Sequence, residues 1–243
     1  MKKFLPAMLL IPITATAALA QVPGPPQPQP PVLVVTGNGE VTATPDEAFV
    51  RLGIVRQAPA AQAAQDQANA LAQQILNEIK KLGVMPEKIQ TARLVLTPVY
   101  APRSPESRDA PRIVAYNASN TVTVRLDDLS LVGPVIDAGL KAGANQLEGV
   151  QFGLRNELPS RQQALKQAVS EARGKAEAMA EALRVNLGEV LEVSEGPSIS
   201  PRFEAPLSGR VFAAAQADVA TPVSPGQLDV TATVTIRYRI SQK

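Results

Sequence analysis

Alternating apolar and polar residues mark the first strands of the chain. The alternation from Val35 to Thr44 continues without a change of phase through an internal Asn-Gly pair. It therefore predicts one strand, although Asn-Gly is also a common two-residue hairpin turn. Gly37 and Gly39 on this strand would let another element approach closely. The turn residues Thr44–Glu47, followed by renewed alternation from Ala48 to Arg56, predict an antiparallel hairpin.

The same alternation predicts the remaining strands. They are Ile89–Tyr100, Tyr116–Leu126, Leu147–Arg155, Glu189–Ser194 and Leu228–Ile240. The first two of these are joined by a loop rich in proline and charged residues, which favours a second hairpin. The last is the longest alternating segment, with polar residues on one face and apolar residues on the other, as in a strand covered on one side.

Helical spacing of three and four predicts helices at Pro59–Gly83, at Leu129–Ala142 and in the segment after Pro159. In the last helix Ser160 is the predicted N-cap and Gly188 the predicted end. Its predicted buried stripe comprises Leu165, Ala168, Val169, Ala172, Ala176, Met179, Ala180, Leu183 and Leu187. The elements together predict an α+β fold in the order β-β-α-β-β-α-β-α-β-β, with antiparallel or mixed sheets and amphipathic helices on one face. A division into two subdomains near Leu126 is one arrangement of these elements.

The N-terminal segment indicates export, and the segments that follow it define the folded domain. Residues 1–20 combine basic Lys2 and Lys3, an apolar stretch and a small-residue cleavage site, which is typical of a signal peptide. A transmembrane anchor is disfavoured because prolines interrupt a run shorter than a bilayer requires. Residues 21–31 read as a proline-rich linker and residues 32–240 as the folded domain. Within that domain, residues 197–227 lack periodicity and are expected to form a flexible loop.

Charge disfavours nucleic-acid binding. The formal net charge is +2, from 24 basic and 22 acidic residues, and removal of Lys2 and Lys3 leaves 22 of each. A general nucleic-acid binder needs a concentrated basic surface. No nucleic-acid partner is therefore expected.

The chain contains neither histidine nor cysteine. This excludes Ser-His-Asp and Cys-His nucleophiles, thiol redox chemistry and the common transition-metal ligand sets, and no cofactor or metal site is predicted. The adjacent acids Asp46-Glu47 and Asp127-Asp128 lie in a predicted turn and before a predicted helix, where acids are expected for structural reasons. Hydrolysis by a pair of carboxylates is the enzymatic alternative that stays open.

Several motifs in order resemble the SIMPL-domain family of exported bacterial proteins. They are Val35-Thr36-Gly37-Asn38-Gly39-Glu40-Val41, Pro45-Asp46-Glu47-Ala48, Ile89-Gln90-Thr91, Tyr116-Asn117-Ala118-Ser119-Asn120, and Ala164 to Gly188 running into Val190. The resemblance covers about Val32 to Ile240. It implies an α+β fold, a periplasmic or envelope location, self-assembly and, in some members, an association with oxidative-stress defence. The family has no agreed catalytic residues.

These observations favour a non-enzymatic exported protein that acts by self-association or by binding an envelope partner. The predicted self-association surface comprises Ala61, Ala64 and Ala68 on the alanine-rich first helix, together with strand edges. The strand at Leu228–Ile240 is a candidate edge, with a central position in the sheet as the alternative. Any role in oxidative-stress defence is expected to be indirect, because a chain without cysteine has no thiol for a peroxidase cycle.

Overall fold

A computed structural model describes residues 30–102, 110–196, 203–204 and 221–243. Short 3₁₀ turns at Pro86–Lys88 and Leu129–Leu131 precede the third strand and the second helix. The elements in chain order are β1 (Val32–Ala43), β2 (Glu47–Ala58), α1 (Ala61–Lys81), β3 (Ile89–Tyr100), β4 (Ile113–Leu126), α2 (Val132–Lys141), β5 (Gln146–Gly153), α3 (Leu158–Leu183), β6 (Val185–Glu195), β7 (Phe203–Glu204) and β8 (Leu228–Gln242).

The strands form two antiparallel sheets. One has three strands in the order β1-β8-β6, and the other has five in the order β3-β4-β2-β5-β7. Helix α3 packs on the three-stranded sheet, whereas α1 and α2 pack on the five-stranded sheet. The predicted α+β fold with antiparallel strands is confirmed.

The prediction of a first hairpin is wrong. Strand β1 pairs with β8, and β2 pairs with β4 and β5, so the turn between β1 and β2 crosses from one sheet to the other. The turn is tied to the connection after β5: Asp46 N donates to Gly153 O at 3.1 Å, and Arg155 N donates to Asp46 Oδ1 at 2.7 Å. The second predicted hairpin, β3 with β4, is confirmed.

The core of the five-stranded sheet is aliphatic. Helix α1 buries a stripe of small and branched residues against β2 and β4, namely Ala64, Ala68, Ala72, Ile75 and Ile79. Opposite them lie fully buried Val50, Leu52 and Ile54 of β2. Each such aliphatic side chain contributes about 1.5–3 kcal/mol when it leaves water, so this face alone accounts for much of the stability of the sheet.

Helix α3 lies unusually close to β1. Its buried stripe is alanine at every fourth position: Ala164, Ala168, Ala172, Ala176 and Ala180. A Cβ atom on Gly37 would overlap the carbonyl oxygen of Ala168, and one on Gly39 would overlap that of Ala164. The predicted role of the two glycines, close approach of another element, is confirmed.

The sequence prediction for α3 is partly wrong about which residues are buried and about where the helix begins and ends. Val169, Met179 and Leu183, which were expected in the core, are exposed on the two flanks of the helix, because only alanine fits above the glycines of β1. The helix ends at Leu183, its C-cap Arg184 adopts φ 56° and ψ 40°, and Gly188 lies in β6 instead. The N-cap is Glu157 rather than Ser160.

Each sheet has a separate core. The three-stranded sheet is built from residues 32–43, 185–195 and 228–242, and the five-stranded sheet from residues 47–153 with β7. Leu126 is the last residue of β4 and is buried within the second core, so the boundaries between the two cores lie on either side of residues 47–153 rather than near Leu126. The predicted signal peptide, residues 21–29 of the linker and most of the 197–227 loop lie outside the described residues.

Candidate functional site

Two small cavities flank the end of β4 and share Lys88 and Arg125. Their volumes are about 190 Å³ and 210 Å³. The first is lined by Gly83, Val84, Met85, Lys88, Arg125, Leu126, Asp127, Asp128 and Leu131, and the second by Phe49, Glu87, Lys88, Gln90, Thr123 and Arg125. Both volumes lie below the range of about 300–1,000 Å³ that is usual for ligand pockets.

Acidic residues around these cavities have structural partners. Lys88 Nζ lies 2.5 Å from Asp127 Oδ2, and this hydrogen bond is the main reason that the pKa of Asp127 is lowered. Asp128 accepts hydrogen bonds from the Oγ and backbone N of Ser130 at 2.6 and 2.9 Å, which lower its pKa and cap the 3₁₀ turn. The structural role expected for acids before the second helix is confirmed at Asp128, whereas Asp127 forms an ion pair.

Glu47 at the start of β2 differs from these acids. Burial raises its pKa, and the negative charges of Asp46 and Asp127 raise it further, while Arg125 and Arg155 oppose the shift. Glu47 and Asp127 are therefore two carboxylates whose environments move their pKa values in opposite directions, a pattern found in acid/base pairs. No group of three or more metal-ligating side chains occurs in the part of the chain that the structure describes.

The raised pKa of Glu47 predicts a pH-dependent effect of Glu47→Gln. A group whose pKa is higher in the folded state adds stability at low pH and loses that contribution as pH rises through the folded pKa. At pH 7 the substitution removes a charge that partial burial disfavours. Because solvent screens much of that effect, thermal unfolding should show a rise in Tm of about 1 °C or less. At pH 3 that gain should disappear. The control is Glu87→Gln, an exposed glutamate on the rim of the second cavity; a pH-independent effect of Glu47→Gln, matching the control, would contradict the prediction.

Two of the three predicted self-association residues on α1 are buried in the core. Ala64 and Ala68 are 0% exposed within the core of the five-stranded sheet, and only Ala61, at the first position of the helix, is partly exposed. A stripe of small residues suits a helix–helix interface and a helix–sheet core equally well. In this chain the stripe is used to pack on β2 and β4.

The last strand is not a sheet edge. Strand β8 lies between β1 and β6 and pairs with both, so the central alternative is the observed one. A strand of this length gains backbone hydrogen bonds on both sides when it lies in the centre of a sheet.

The outer edge of β1 is capped by polar side chains of α3. Glu171 accepts a hydrogen bond from Asn38 N, Gln167 Oε1 accepts one from Glu40 N at 3.1 Å, and Lys175 Nζ donates to Thr36 O at 3.0 Å. These side chains stand four residues apart on α3 and satisfy backbone groups that a neighbouring strand would otherwise bind. The spacing was visible in the sequence, but it resembles an ordinary solvated helix face.

Two long strand edges stay open among the described residues. Strand β5 has β7 beside it, but β3 pairs only with β4, and β6 pairs only with β8. Both open strands carry exposed apolar side chains. They are Leu94, Leu96 and Tyr100 on β3 and Val190, Leu191 and Val193 on β6.

The flank of α3 extends the apolar surface at β6. Val190 and Val193 pair with buried Tyr238 and Ile236, so they point to the side of the sheet that α3 covers. They are nevertheless 51% and 58% exposed, because α3 lies over β1 at the far side of the sheet. Val169 of α3 lies on the same flank of the helix as Arg161, which binds Glu195 of β6. With Val169, the two valines of β6 form an apolar trough beside β6, which we call the β6 trough.

Comparison with known proteins identifies the family. The model of the SIMPL family, described as a protein of unknown function (DUF541), matches residues 33–238. The chain belongs to the SIMPL family. The predicted resemblance is confirmed.

Relatives in this family come from several bacteria. The 26 kDa periplasmic immunogenic protein of Brucella melitensis is 33% identical over 214 residues, which cover 86% of this chain and 84% of the relative. The uncharacterized protein YggE of Edwardsiella ictaluri is 28% identical over 185 residues, covering 76% and 75%. YggE of Escherichia coli K12 is 28% identical over 139 residues, covering 57% and 54%. Within the described residues, no helix of this SIMPL protein is long and apolar enough to cross a membrane.

Proposed function

We propose that this SIMPL protein is a non-enzymatic periplasmic protein that acts by self-association. Its location is supported by the signal-like residues 1–20 and by the Brucella relative, which is named a periplasmic protein. The absence of histidine and cysteine from the sequence supports a function without catalysis. Under this proposal, the assembled protein also binds a second protein of the cell envelope.

The observation that carries the proposal is the contrast between protected and open edges. Side chains of α3 cap β1, and β7 pairs with β5 at Gln151 and Phe152, yet β3 and β6 leave long edges with exposed apolar side chains and no neighbour among the described residues. Natural proteins usually shorten, charge or cover such edges because an open edge pairs with other chains. Two long open edges in one chain are expected when the edges are used for assembly.

Carboxylate-dependent hydrolysis is the second candidate function, and it rests on Glu47 and Asp127. Their pKa values move in opposite directions, as in an acid/base pair. Against it, the adjoining cavities are small, and Asp127 is held by Lys88 in an ion pair. A role in oxidative-stress defence would be indirect, since the sequence offers no thiol to reduce peroxide.

Multi-angle light scattering on residues 21–243 tests the proposal. We expect a defined species larger than a monomer at micromolar concentration, with no change in size for Glu47→Gln. A strict monomer across the micromolar range would overturn self-association. The hydrolase would replace it if the purified chain hydrolysed a small ester or glycoside panel and Glu47→Gln removed that activity while the fold was retained.

A further inference from the structure

We propose that the edge of β6 binds the edge of β3 of a second copy, so that the three-stranded sheet of one subunit continues into the five-stranded sheet of the next. This inference rests on the proposed self-association and names the surfaces that perform it. It concerns two strands of similar length, β6 with 11 residues and β3 with 12. Both are long enough for several backbone hydrogen bonds between strands, although each strand contains register shifts and Pro98 of β3 has no N–H to donate.

The apolar faces of the two strands are complementary. Leu94 and Leu96 pair with buried Asn120 and Ala118, so they point to the side of the five-stranded sheet that carries α1. They are 59% and 43% exposed because α1 lies over β2 and β4. If β3 of a second copy pairs with β6 so that Leu94 and Leu96 face the side covered by α3, the two leucines enter the β6 trough. Apolar surface is then removed from water on both copies.

The charges select this pairing over a pairing of β6 with itself. All charged residues of β6 are acidic, namely Glu189, Glu192 and Glu195, whereas Arg93 is the sole charged residue of β3. Two β6 strands side by side would bring acidic residues together, which is unfavourable for cross-strand neighbours. Pairing of β6 with β3 instead places the positive charge of Arg93 beside the acidic strand.

The position of Arg93 agrees with the leucine orientation. Arg93 pairs with Thr121 on the face opposite Leu94 and Leu96. Glu189 and Glu192 form ion pairs with Arg239 and Arg237 on the face of the three-stranded sheet away from α3. The arrangement that places Leu94 in the β6 trough therefore places Arg93 on the same face as these two glutamates.

The proposed contact joins different surfaces of the two copies. Such heterologous contacts generate closed rings when the rotation closes and filaments when it does not. Pairing of β3 with β3 would produce a two-fold dimer but would leave the β6 trough exposed. A single heterologous contact covers both open edges in every subunit.

Cysteine cross-linking tests the contact, because the natural chain has no cysteine to interfere. Val95 and Leu191 lie near the middle of β3 and β6. A flexible bismaleimide tolerates a register difference of two residues, which is about 7 Å along a strand. We compare residues 21–243 carrying Val95→Cys, Leu191→Cys or both, and also a mixture of the two single variants, with thermal unfolding to confirm that each is folded.

We expect the double variant to give a ladder of dimers, trimers and larger species, and the mixture to give dimers. Each single variant alone should stay uncross-linked. Cross-linking of Leu191→Cys alone would overturn the proposal in favour of β6 with β6, and cross-linking of Val95→Cys alone in favour of β3 with β3. No cross-linking of the double variant, when light scattering shows an assembly, would place the contact elsewhere and leave self-association standing.

Charge reversal gives a second test. Arg93→Glu should raise the dissociation constant of the assembly by about tenfold or more, since it places a negative charge beside the glutamates of β6. Lys166→Glu is the matched control: Lys166 is an exposed basic residue on α3, outside both strands. Equal effects of the two reversals would contradict a specific role of Arg93, while weakening by Arg93→Glu alone supports it.

Discussion

Replacing Gly39 with alanine is expected to destabilise the protein by about 3 kcal/mol or more, which corresponds to a fall in Tm of about 10 °C. The added Cβ would overlap the backbone carbonyl group of Ala164 in α3. Backbone atoms cannot rotate away as the end of a side chain can, so the helix must shift from β1. That shift also disrupts the hydrogen bonds from the β1 backbone to Gln167 and Glu171.

Thermal unfolding followed by circular dichroism measures this effect, and Gly174→Ala is its control. Gly174 lies in α3, the helix that packs against Gly39, and a Cβ atom on Gly174 would have no neighbour within 4 Å. Because glycine is unfavourable inside a helix, the control should stabilise the protein by about 0.5–1 kcal/mol. A Tm for Gly39→Ala within one degree of the natural chain would show that α3 does not need this close approach.

The strands were more predictable than their pairing. Alternation located β1, β2 and β8 to within a few residues, because a half-buried strand imposes a period of two wherever its neighbours lie. The same period is compatible with a hairpin or with membership of two different sheets. The turn at Asp46 looks like hairpin chemistry in the sequence, but its carboxylate binds the backbone N of Arg155, far along the chain.

Helix α3 shows why side-chain size was a misleading guide to burial. The sequence interpretation placed the larger residues Val169, Met179 and Leu183 in the stripe, since burial of larger side chains removes more apolar surface from water. The glycines of β1 reverse that preference, because they bring the helix backbone so near the sheet that only alanine fits. Gly37 and Gly39 on one element and alanine at every fourth position on another together contain the information that identifies the buried face.

The open edges could not be identified from the sequence. Whether a strand lies at an edge depends on the order of strands in a sheet, which arises from contacts between distant parts of the chain. Leu228–Ile240 was the candidate because it is long and comes last, yet it is central, whereas the edges that stay open in the described residues belong to β3 and β6. The protection of β1 by Gln167, Glu171 and Lys175 depends on the packing of α3 beside β1, which joins parts of the chain more than 120 residues apart.

The structure also changes the expected result of introducing glutamate into α1. From the sequence, charged residues at Ala64 and Ala68 should reduce the assembly and leave the monomer folded. Ala68 is 0% exposed in the core of the five-stranded sheet, so Ala68→Glu must bury an unpaired carboxylate and force apart tightly packed neighbours. We therefore expect a loss of about 4 kcal/mol or more, with the subunit largely unfolded at 37 °C.

Ala70→Glu is the matched control, because Ala70 is exposed on the same helix. Alanine and glutamate are both good helix formers, so the control should change stability by less than about 0.5 kcal/mol and leave the assembly intact. Circular dichroism reports the fold of each variant, and light scattering reports its size. If Ala68→Glu gave a folded monomer with an unchanged Tm, Ala68 would have to lie at the surface, and α1 rather than β3 and β6 would be the assembly interface.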